Sequence, residues 1–347
     1  MSGPSAPPPR PQPPISGLSA VPPRPIPQKK TSVWRIFWRI VLVMSIMANV
    51  LLLFMLFGVA AFFAMGQGSF LAEEVVREGP AGDKIAIINV QGVIYGEAAG
   101  NVYRQLKAAR QDPRVRGLIV RVNSPGGTIS ASDQIYKEIR KFRDKQKKPV
   151  VAFMQGVAAS GGYYTSVACE KIVAEPTAIT GSIGVISSYF VVQGLLEEKL
   201  GVLPVTIKSG KKKDWPSSFK PPTEEQIQYM QDKLVSPALA RFVEVVAEGR
   251  AGLLTSDDVN DIAVDAAIYG AQEALDEKLI DQIGYLDEAI ALVKSMAGIG
   301  DAQVVQYRKP FSLTDLLTYG KASLPKLDRA TLYELGTPQV LYLWSAY

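Results

Sequence analysis

The sequence contains no histidine and only one cysteine, Cys169. Without histidine the protein lacks the usual general base of hydrolases, the usual zinc ligand and any Ser-His-Asp arrangement. One thiol can form neither an intrachain disulfide nor a cysteine-based zinc site. Nucleophilic catalysis in this chain must therefore use a lysine, a carboxylate or an N-terminal amine, and we expect no cofactor and no metal.

Large apolar side chains are scarce in the first 33 residues, where proline is abundant. Eleven of the 24 prolines lie within residues 1–30. This composition cannot bury a core and predicts a disordered or polyproline-like arm over residues 1–33. A polyproline-recognising domain could bind the arm, although disorder without a partner is the simpler interpretation.

Charged residues are absent from Ile40 to Met65, a run of 26 residues. At about 1.5 Å per residue, a helix of this length exceeds the roughly 30 Å hydrocarbon layer of a bilayer. We therefore predict a transmembrane helix over residues 34–66. A cleavable signal peptide is the alternative, but its apolar stretch is shorter and does not follow a long proline-rich arm.

Acidic residues are absent before the uncharged run that begins at Ile40, whereas six basic residues precede that run: Arg10, Arg24, Lys29, Lys30, Arg35 and Arg39. The positive-inside tendency predicts a single-pass protein of the cell membrane, with a cytoplasmic N-terminus and the main domain outside. Removing these six from the 38 basic residues leaves 32, against 33 acidic ones. Because the main domain is nearly neutral, we expect it to bind no nucleic acid.

After a linker over residues 67–83, apolar β-branched runs alternate with amphipathic helices. Strands are predicted over 85–90, 117–122, 149–154, 171–174, 183–187 and 202–207. Helices are predicted over 190–200, 223–250 with an interruption at Pro237, 256–262 and 286–296. This order indicates an α/β domain over residues 84–300, with a largely parallel sheet and a helical C-terminal half. Residues 301–347 form a C-terminal extension.

Two glycine-rich turns follow neighbouring strands of this predicted sheet. Asn-Ser-Pro-Gly-Gly occupies residues 123–127, and its glycines can turn backbone N–H groups toward an oxyanion or a phosphate. Gly-Val-Ala-Ala-Ser-Gly-Gly-Tyr-Tyr occupies residues 156–164 and puts Ser160 at a helix start. Each segment alone could be a plain turn, and Ser160 could be an N-cap. Together they offer the donors and the hydroxyl of an acyl-transfer site.

Two further segments could complete such a site. Thr-Gly-Ser-Ile-Gly-Val-Ile at 180–186 carries Ser182, which could also be only a turn residue. Lys-Ser-Gly-Lys-Lys-Lys-Asp at 208–214 offers lysine as a base, although a lysine run is usually a solvated loop. A general-base lysine must be neutral, so its site must lower its pKa by desolvation or by nearby positive charge.

In this order, the four segments resemble those of the signal peptide peptidase A family and, more remotely, the Clp protease proteolytic subunit and the crotonase fold. The resemblance covers about residues 84–293 and implies a Clp protease/crotonase-like β-α-β superhelix. It also implies site roles: Ser160 as nucleophile, Lys213 as general base, Ser182 as the partner of that lysine, and the backbone N–H groups of Gly127 and Gly161 as oxyanion donors. The family has a bulky residue before its catalytic lysine where this chain has Lys212, so Lys212 is the alternative base. Ser160 and Lys213 lie 53 positions apart and must meet through folding.

The resemblance implies a membrane-anchored serine endopeptidase, in a short form with one catalytic domain, that degrades released signal peptides and other secreted or membrane-derived peptides. The family also implies a homo-oligomer. Two alternatives remain at this point, a crotonase-like acyl-CoA enzyme and a catalytically inactive membrane scaffold.

The C-terminal segment over residues 337–347 carries Val340, Leu341, Leu343 and Trp344 and no charged side chain. A free terminus is rarely so apolar. We predict that this segment can occupy a substrate groove, in its own chain or a neighbour, as a strand added to a sheet edge. The alternative is permanent packing on the helical half or at a subunit contact.

Overall fold

The computed structural model describes residues 32–66, 71–308 and 339–344. The chain divides into two compact units, one ending at Gly68 and the other beginning at Ser69. The predicted disordered arm over residues 1–33 lies almost wholly outside the described residues.

Helix α1, Val33–Gly66, is the described part of the N-terminal unit. Within it, Val33–Ala61 is long and apolar enough to cross a membrane, and no other helix among the described residues meets that criterion. The prediction of one such helix over residues 34–66 is therefore confirmed in length and composition.

The second unit contains two sheets. The strands are β1 Ala72–Arg77, β2 Lys84–Gln91, β3 Val115–Ser124, β4 Gly126–Thr128, β5 Val150–Ala159, β6 Lys171–Ala174, β7 Ile179–Gly181, β8 Ile186–Ser188, β9 Ile268–Gly270, β10 Gln282–Ile283, β11 Gln303–Arg308 and β12 Gln339–Leu343. Among the described residues, the larger sheet runs in the order β1-β11-β2-β3-β5-β6-β10, and β7 pairs with β5 and β9. The smaller sheet is β4-β12-β8.

The central strands of the larger sheet are parallel, as predicted. They are joined by helices that pack on both faces. The helices of this unit are α2 Gly96–Gln111, α3 Ile129–Gln146, α4 Gly161–Ser166, α5 Glu224–Met230, α6 Ser236–Gly249, α7 Ser256–Ala263, α8 Ala271–Asp276 and α9 Leu286–Ala297, with π-helical turns at Leu195–Lys199 and Gln231–Val235. Parallel strands buried on both faces read as continuous Ile and Val runs, which is why their positions were predictable.

The core has two parts because alternate strand residues face opposite sides of the sheet. Ile88 and Val120 contribute to the larger cluster, which includes the apolar faces of α2, α3 and α6. Ile87 and Ile119 lie on the other side, in the cluster that includes α9. All four side chains are fully buried. The sheet is thus a rigid platform, and the turns after β3 and β5 lie at one of its edges.

The structure departs from the predicted limits at both ends of the domain. Strand β1 lies in the predicted linker, and β11 lies in the predicted C-terminal extension. They pair antiparallel with each other, and β11 pairs parallel with β2, so the sheet reaches beyond residues 84–300. Arg77 pairs with Val304, 227 positions further along the chain, so no local sequence pattern could join the two strands.

Three other local predictions need correction. Residues 202–207 form no strand, and the strand predicted over 183–187 is replaced by β7 and β8 on either side of a short turn. The helix predicted over 190–200 is reduced to a short helical stretch ending in the π-helical turn. The helix predicted over 223–250 is divided as expected: a π-helical turn precedes α6, whose second residue is Pro237. Near a helix start the missing proline N–H costs little.

Candidate active site

Ser160 lies in the tight turn between β5 and α4. Its φ of 53° and ψ of −115° lie in a region that residues other than glycine rarely adopt, at a cost on the order of 1–3 kcal/mol. The turn is held by its backbone: the Ser160 N–H donates to the Gly181 carbonyl and the Ser160 carbonyl accepts from the Tyr164 N–H, both at 2.8 Å. The residue is 1% exposed.

The Ser160 hydroxyl caps no helix and has no hydrogen-bond partner among the described residues. Ser160 therefore occupies the N-cap position of α4, but its side chain does not act as a cap. A strained, buried serine with a free hydroxyl is typical of a nucleophile that the surrounding backbone holds in place.

The two glycine turns meet at this serine. A Cβ built on Gly161 would lie 3.1 Å from the Gly126 Cα, and one built on Gly126 would lie 2.7 Å from the Gly161 backbone nitrogen. A Cβ on Gly127 would collide with the backbone of Ile94. Only glycine permits this close approach, which places backbone N–H groups from both turns beside Ser160.

Ser182 follows β7, which pairs with β5 so that Gly181 lies opposite Ala159. Ser182 and Ser160 are therefore neighbours across the parallel pair. Ser182 is 8% exposed with a φ of 50°, and its backbone N–H donates to the Ala267 carbonyl at 2.7 Å. Its hydroxyl has no partner among the described residues. We call residues 123–128, 156–164 and 180–182 the nucleophile half of the site.

The lysine loop over residues 208–214 is exposed and irregular. The ammonium groups of its other lysines are engaged: Lys208 with Asp214 at 2.6 Å, Lys211 with Glu225 at 2.9 Å, and Lys212 over the Tyr229 ring at 4.2 Å. The side chain of Lys213 has no partner among the described residues. Among the described residues, no hydrogen bond joins its side chain to Ser160 or Ser182.

The segment that leads to this loop exposes apolar side chains. Leu203 is 73% exposed, Val205 77% and Ile207 96%, and Phe190, Leu195 and Leu200 are also more than half exposed. We call residues 189–222 the lysine half. A contiguous apolar surface of this kind marks an interaction site.

Strand β12 lies between β4 of the nucleophile half and β8, which directly precedes the lysine half. It pairs antiparallel with β4, with Tyr342 opposite Gly127, and on its other edge with β8, with Leu341 opposite Ile186. Tyr342 packs on Phe242 of α6, with ring centroids 4.7 Å apart. Within the described residues, the segment lies on the glycine turn and packs on the helical half; occupation of a substrate groove stays a prediction.

An aromatic pocket receives the Tyr342 side chain, and the sequence did not indicate it. Tyr164 stacks on Tyr342 at 5.1 Å, and the Tyr342 hydroxyl donates to the Ala238 carbonyl at 2.7 Å. The Tyr164 hydroxyl donates to Asp133 at 2.6 Å. Burial, and then this hydrogen bond, raise the pKa of Tyr164 well above its usual range, so it stays protonated. The doubled tyrosine at 163–164 was the available clue, but Tyr163 is a core residue bonded to the Leu279 carbonyl.

Beside this pocket lies a cavity of about 430 Å³, lined in part by Thr128, Asp133, Arg241 and Val340. The Arg241 guanidinium is held by Glu244 and lies 3.6 Å from Asp133. Within residues 32–66, 71–308 and 339–344, no group of three or more His, Cys, Asp or Glu side chains could hold a metal ion. The chemical groups that the site offers are a hydroxyl and backbone donors.

Comparison with known proteins agrees with this geometry. Residues 142–300 match peptidase family S49 and residues 83–179 match Clp protease, which confirms the Clp protease-like α/β fold. A protein of Enterococcus faecium that carries the name signal peptide peptidase SppA is 39% identical over 249 residues, 69% of this chain and 71% of that protein. A protease of Methanocaldococcus jannaschii is 35% identical over 69% of this chain and 80% of its own length. The chloroplastic serine protease SPPA of Arabidopsis thaliana is 32% identical over 71% of this chain but only 38% of its own length.

Proposed function

Because this chain belongs to peptidase family S49 and is a serine protease, we propose that it is a membrane-anchored endopeptidase that uses a Ser-Lys dyad. The observation that carries the proposal is that two glycine turns meet beside Ser160, whose backbone is strained and whose hydroxyl has no hydrogen-bond partner among the described residues. That geometry supplies a nucleophile and oxyanion donors, and it leaves a base to be found among the lysines.

In the proposed mechanism, neutral Lys213 takes the proton of Ser160, and the alkoxide attacks a peptide carbonyl. The N–H groups of Gly127 and Gly161 hold the oxyanion. Lys213 then gives its proton to the leaving amine, and water hydrolyses the acyl-enzyme ester. Ser182, the neighbour of Ser160 across the strand pair, orients the lysine. The free state of Lys213 supports its choice over Lys212, whose ammonium lies over an aromatic ring.

We further propose that the serine and the lysine come from two copies of the chain. A lysine base must be desolvated, whereas Lys213 is exposed and the segment that leads to its loop exposes apolar side chains. A second copy that packed against the lysine half would bury the apolar segment and carry Lys213 to the neighbour's Ser160. The active enzyme is then a homo-oligomer.

A fluorophosphonate probe tests the nucleophile. The purified full-length protein should become labelled, and the Ser160→Ala variant should not. An acyl-CoA enzyme or an inactive scaffold would not react at Ser160. Equal labelling of both proteins would rule out Ser160.

Complementation tests the two-chain dyad. Ser160→Ala and Lys213→Ala chains, each inactive alone, should regain part of the wild-type activity when they are co-expressed and purified together. This is because a Ser160 from one chain can meet a Lys213 from the other. A co-purified mixture without activity would place both residues in the same chain.

We propose that α1 anchors the protein, with the N-terminus in the cytoplasm and the catalytic unit outside. The length and composition of Val33–Ala61 support the anchor, and the basic arm supports the orientation. Protease added to spheroplasts should digest the catalytic unit and spare the arm. Protection of the catalytic unit would contradict this topology.

The proposed substrates are released signal peptides and other peptides from secreted or membrane proteins. The name of the Enterococcus faecium relative supports this class, as does the apolar, extended β12 strand that lies against β4. The wild-type enzyme should hydrolyse a synthetic signal peptide, and Ser160→Ala should not. Hydrolysis of charged peptides alone would point to another substrate class.

A further inference from the structure

A cavity of about 620 Å³ lies at the carboxyl ends of strands β2 and β11, beside the start of α2. Its lining includes Asn89 and Gln91 from β2, Arg308 from β11 and Glu97 from α2. The two strands are parallel, and open α/β sheets commonly bind ligands in the crevice outside the carboxyl ends of such strands. None of the cavity residues belongs to the nucleophile half or the lysine half, so the proposed mechanism gives this cavity no role.

Arg121, from the neighbouring strand β3, carries a half-buried positive charge in the wall of this cavity. Its Nε donates to the Asn89 side-chain oxygen at 2.8 Å, and a terminal nitrogen donates to the Gln306 side-chain oxygen at 2.9 Å. A guanidinium has five N–H groups, so three of them have no partner among the described residues. Burial, and then repulsion by Arg308, lower the pKa of Arg121. A bound anion would offset both effects and accept from the free donors.

The charged groups around Arg121 leave one positive charge uncompensated. Arg104 also lines the cavity and has no carboxylate partner among the described residues. Arg308 pairs with Glu74, and Glu97 is the one carboxylate among the described residues that line the cavity. Three arginines against two glutamates give a net charge of +1, which one bound monoanion would neutralise. A carboxylate suits this site, because a guanidinium can bind both of its oxygens in a bidentate fork.

The cavity adjoins the loop that supports the first glycine turn. Gln91 and Val93 line the cavity, and between them the Gly92 N–H donates to the Asn123 carbonyl at 2.9 Å. Asn123 begins the segment that contains Gly127, the proposed oxyanion donor. The cavity therefore borders the nucleophile half at the end of β3.

The direction of β12 shows how a bound chain would approach this cavity. Leu341 lies opposite Thr128, and the Trp344 N–H donates to the Pro125 carbonyl. A chain in this direction runs toward its own C-terminus as it passes from β4 back to the end of β3. Arg121 lies four residues before Pro125, which is about 13 Å at the rise of a β-strand. A peptide bound in the same direction would therefore need about four more residues beyond Pro125 for its terminal carboxylate to reach Arg121.

We propose that Arg121 binds the C-terminal carboxylate of a peptide substrate while an earlier segment of the same peptide lies on the glycine turn. This inference rests on the proposed function, because it requires a substrate peptide at that turn. It also names the feature by which the substrate class is recognised. A released signal peptide has a free carboxyl end, whereas a signal sequence still joined to its protein has none at that position.

The test is hydrolysis of one synthetic signal peptide in two forms, a C-terminal acid and a C-terminal amide, by the full-length protein in detergent. The wild type should have a kcat/KM at least about tenfold higher for the acid, because the amide cannot form the charge-assisted pair. Arg121→Gln should hydrolyse both forms with the kcat/KM that the wild type has for the amide. The loss should appear in KM and leave kcat unchanged, since the carboxylate binds away from the reacting bond.

Arg116→Gln is the matched control, because Arg116 lies on the same strand but faces Asp83 outside the cavity. This variant should keep the wild-type preference for the acid. If Arg121→Gln also keeps that preference, the carboxylate binds elsewhere and the proposal is overturned.

The wild type alone gives a second test, which does not depend on whether Arg121→Gln folds. Equal kcat/KM values for the acid and the amide would overturn carboxylate recognition and leave the proposed peptidase function standing. Hydrolysis of neither form would refute the proposed function as well.

Discussion

The two halves of the site differ in how far one chain completes them. In the nucleophile half, Ser160 is 1% exposed, its backbone is held by two hydrogen bonds at 2.8 Å, and glycines bring two turns into contact. In the lysine half, Ile207 is 96% exposed and Lys213 has no partner among the described residues. The nucleophile half owes its geometry to the sheet beneath it, whereas the lysine half has no strand beneath residues 202–207.

This difference shows which half of the site is already in place within one chain and which half is not. The nucleophile half is preorganised on a rigid platform, as oxyanion stabilisation requires. The lysine half lacks the desolvation that the proposed base requires, so that proposal depends on a second surface that covers Lys213. The predictions below separate what each half contributes.

The largest effect should come from removing either reacting group. Ser160→Ala and Lys213→Ala should each lower the hydrolysis of a fluorogenic peptide at least about 1,000-fold, because the groups act as a unit. The urea midpoint should stay unchanged, since neither side chain supports the fold. Lys211→Ala is the control and should keep appreciable activity, because that lysine is paired with Glu225. Loss of activity in Lys212→Ala with full activity in Lys213→Ala would move the base by one residue.

The next largest effect should come from breaking a buried ion pair between Arg250 and Asp281. Arg250 is 3% exposed, donates to Asp281 at 2.7 Å and also bonds the Lys278 carbonyl. Arg250→Ala should lower the free energy of unfolding by about 3 kcal/mol, the low end for a broken buried ion pair, because the largely buried Asp281 carboxylate loses Arg250 but keeps Lys171. Urea unfolding measures this change. A loss below 1 kcal/mol would indicate that water replaces the guanidinium.

The same pair makes stability depend on pH. Burial opposes the charge of Asp281, but hydrogen bonds from Arg250 and Lys171 outweigh it and hold the pKa of Asp281 below its usual value. A lowered folded-state pKa contributes stability above the unfolded value of about 3.9, and that stability is lost as the pH falls through the folded-state pKa. The urea midpoint of the wild type should therefore approach that of Asp281→Asn only below about pH 4.

A smaller effect is expected from one methyl group at the oxyanion turn. Gly127→Ala would push its Cβ against the Ile94 backbone, which must move and carry the N–H donor with it. We expect kcat to fall about 100-fold. Gly82→Ala is the matched control, since a Cβ there meets nothing within 4 Å. Wild-type kcat in Gly127→Ala would remove this N–H from the mechanism.

The smallest effect on folding should come from the lysine half. Ile207→Ser should change the free energy of unfolding by less than about 0.5 kcal/mol, because the side chain is exposed within one chain. It should nevertheless reduce the oligomer mass measured by light scattering, and the activity per chain with it. Val264→Ser, at a residue that directly follows α7 and is 77% exposed, is the control and should change neither.

The sequence predicted the centre of the fold better than its edges. Buried runs of Ile and Val marked β2, β3 and β5 because these strands are covered on both faces. Residues 202–207 have the same composition, but a strand also needs a neighbour to share hydrogen bonds, and the described chain provides none there. The composition of a segment indicates whether its side chains can pack on a sheet. It does not indicate whether a neighbouring strand is available to share backbone hydrogen bonds.

The candidate site was likewise predictable in part. Local motifs identified Ser160, Ser182, Gly127 and Gly161, because a tight turn near a nucleophile needs glycine at fixed positions. The aromatic pocket escaped prediction, since Tyr164, Phe242 and Tyr342 come from three segments far apart in the chain. The relation of Lys213 to Ser160 escaped it as well, because no spacing reports which chain a residue will meet.

Strand β12 is paired on both edges, and this pairing bears on which chain conformations could bind in its place. A chain can enter between β4 and β8 only if its own N–H and C=O groups are free along several residues. A segment within a folded domain has already committed those groups to its neighbours, and a helix in a bilayer keeps them satisfied internally. Local unfolding must come first, and its free energy is added to the barrier for cleavage. Under the proposed function, a substrate that binds as β12 does is therefore selected by its conformation before it is selected by its sequence.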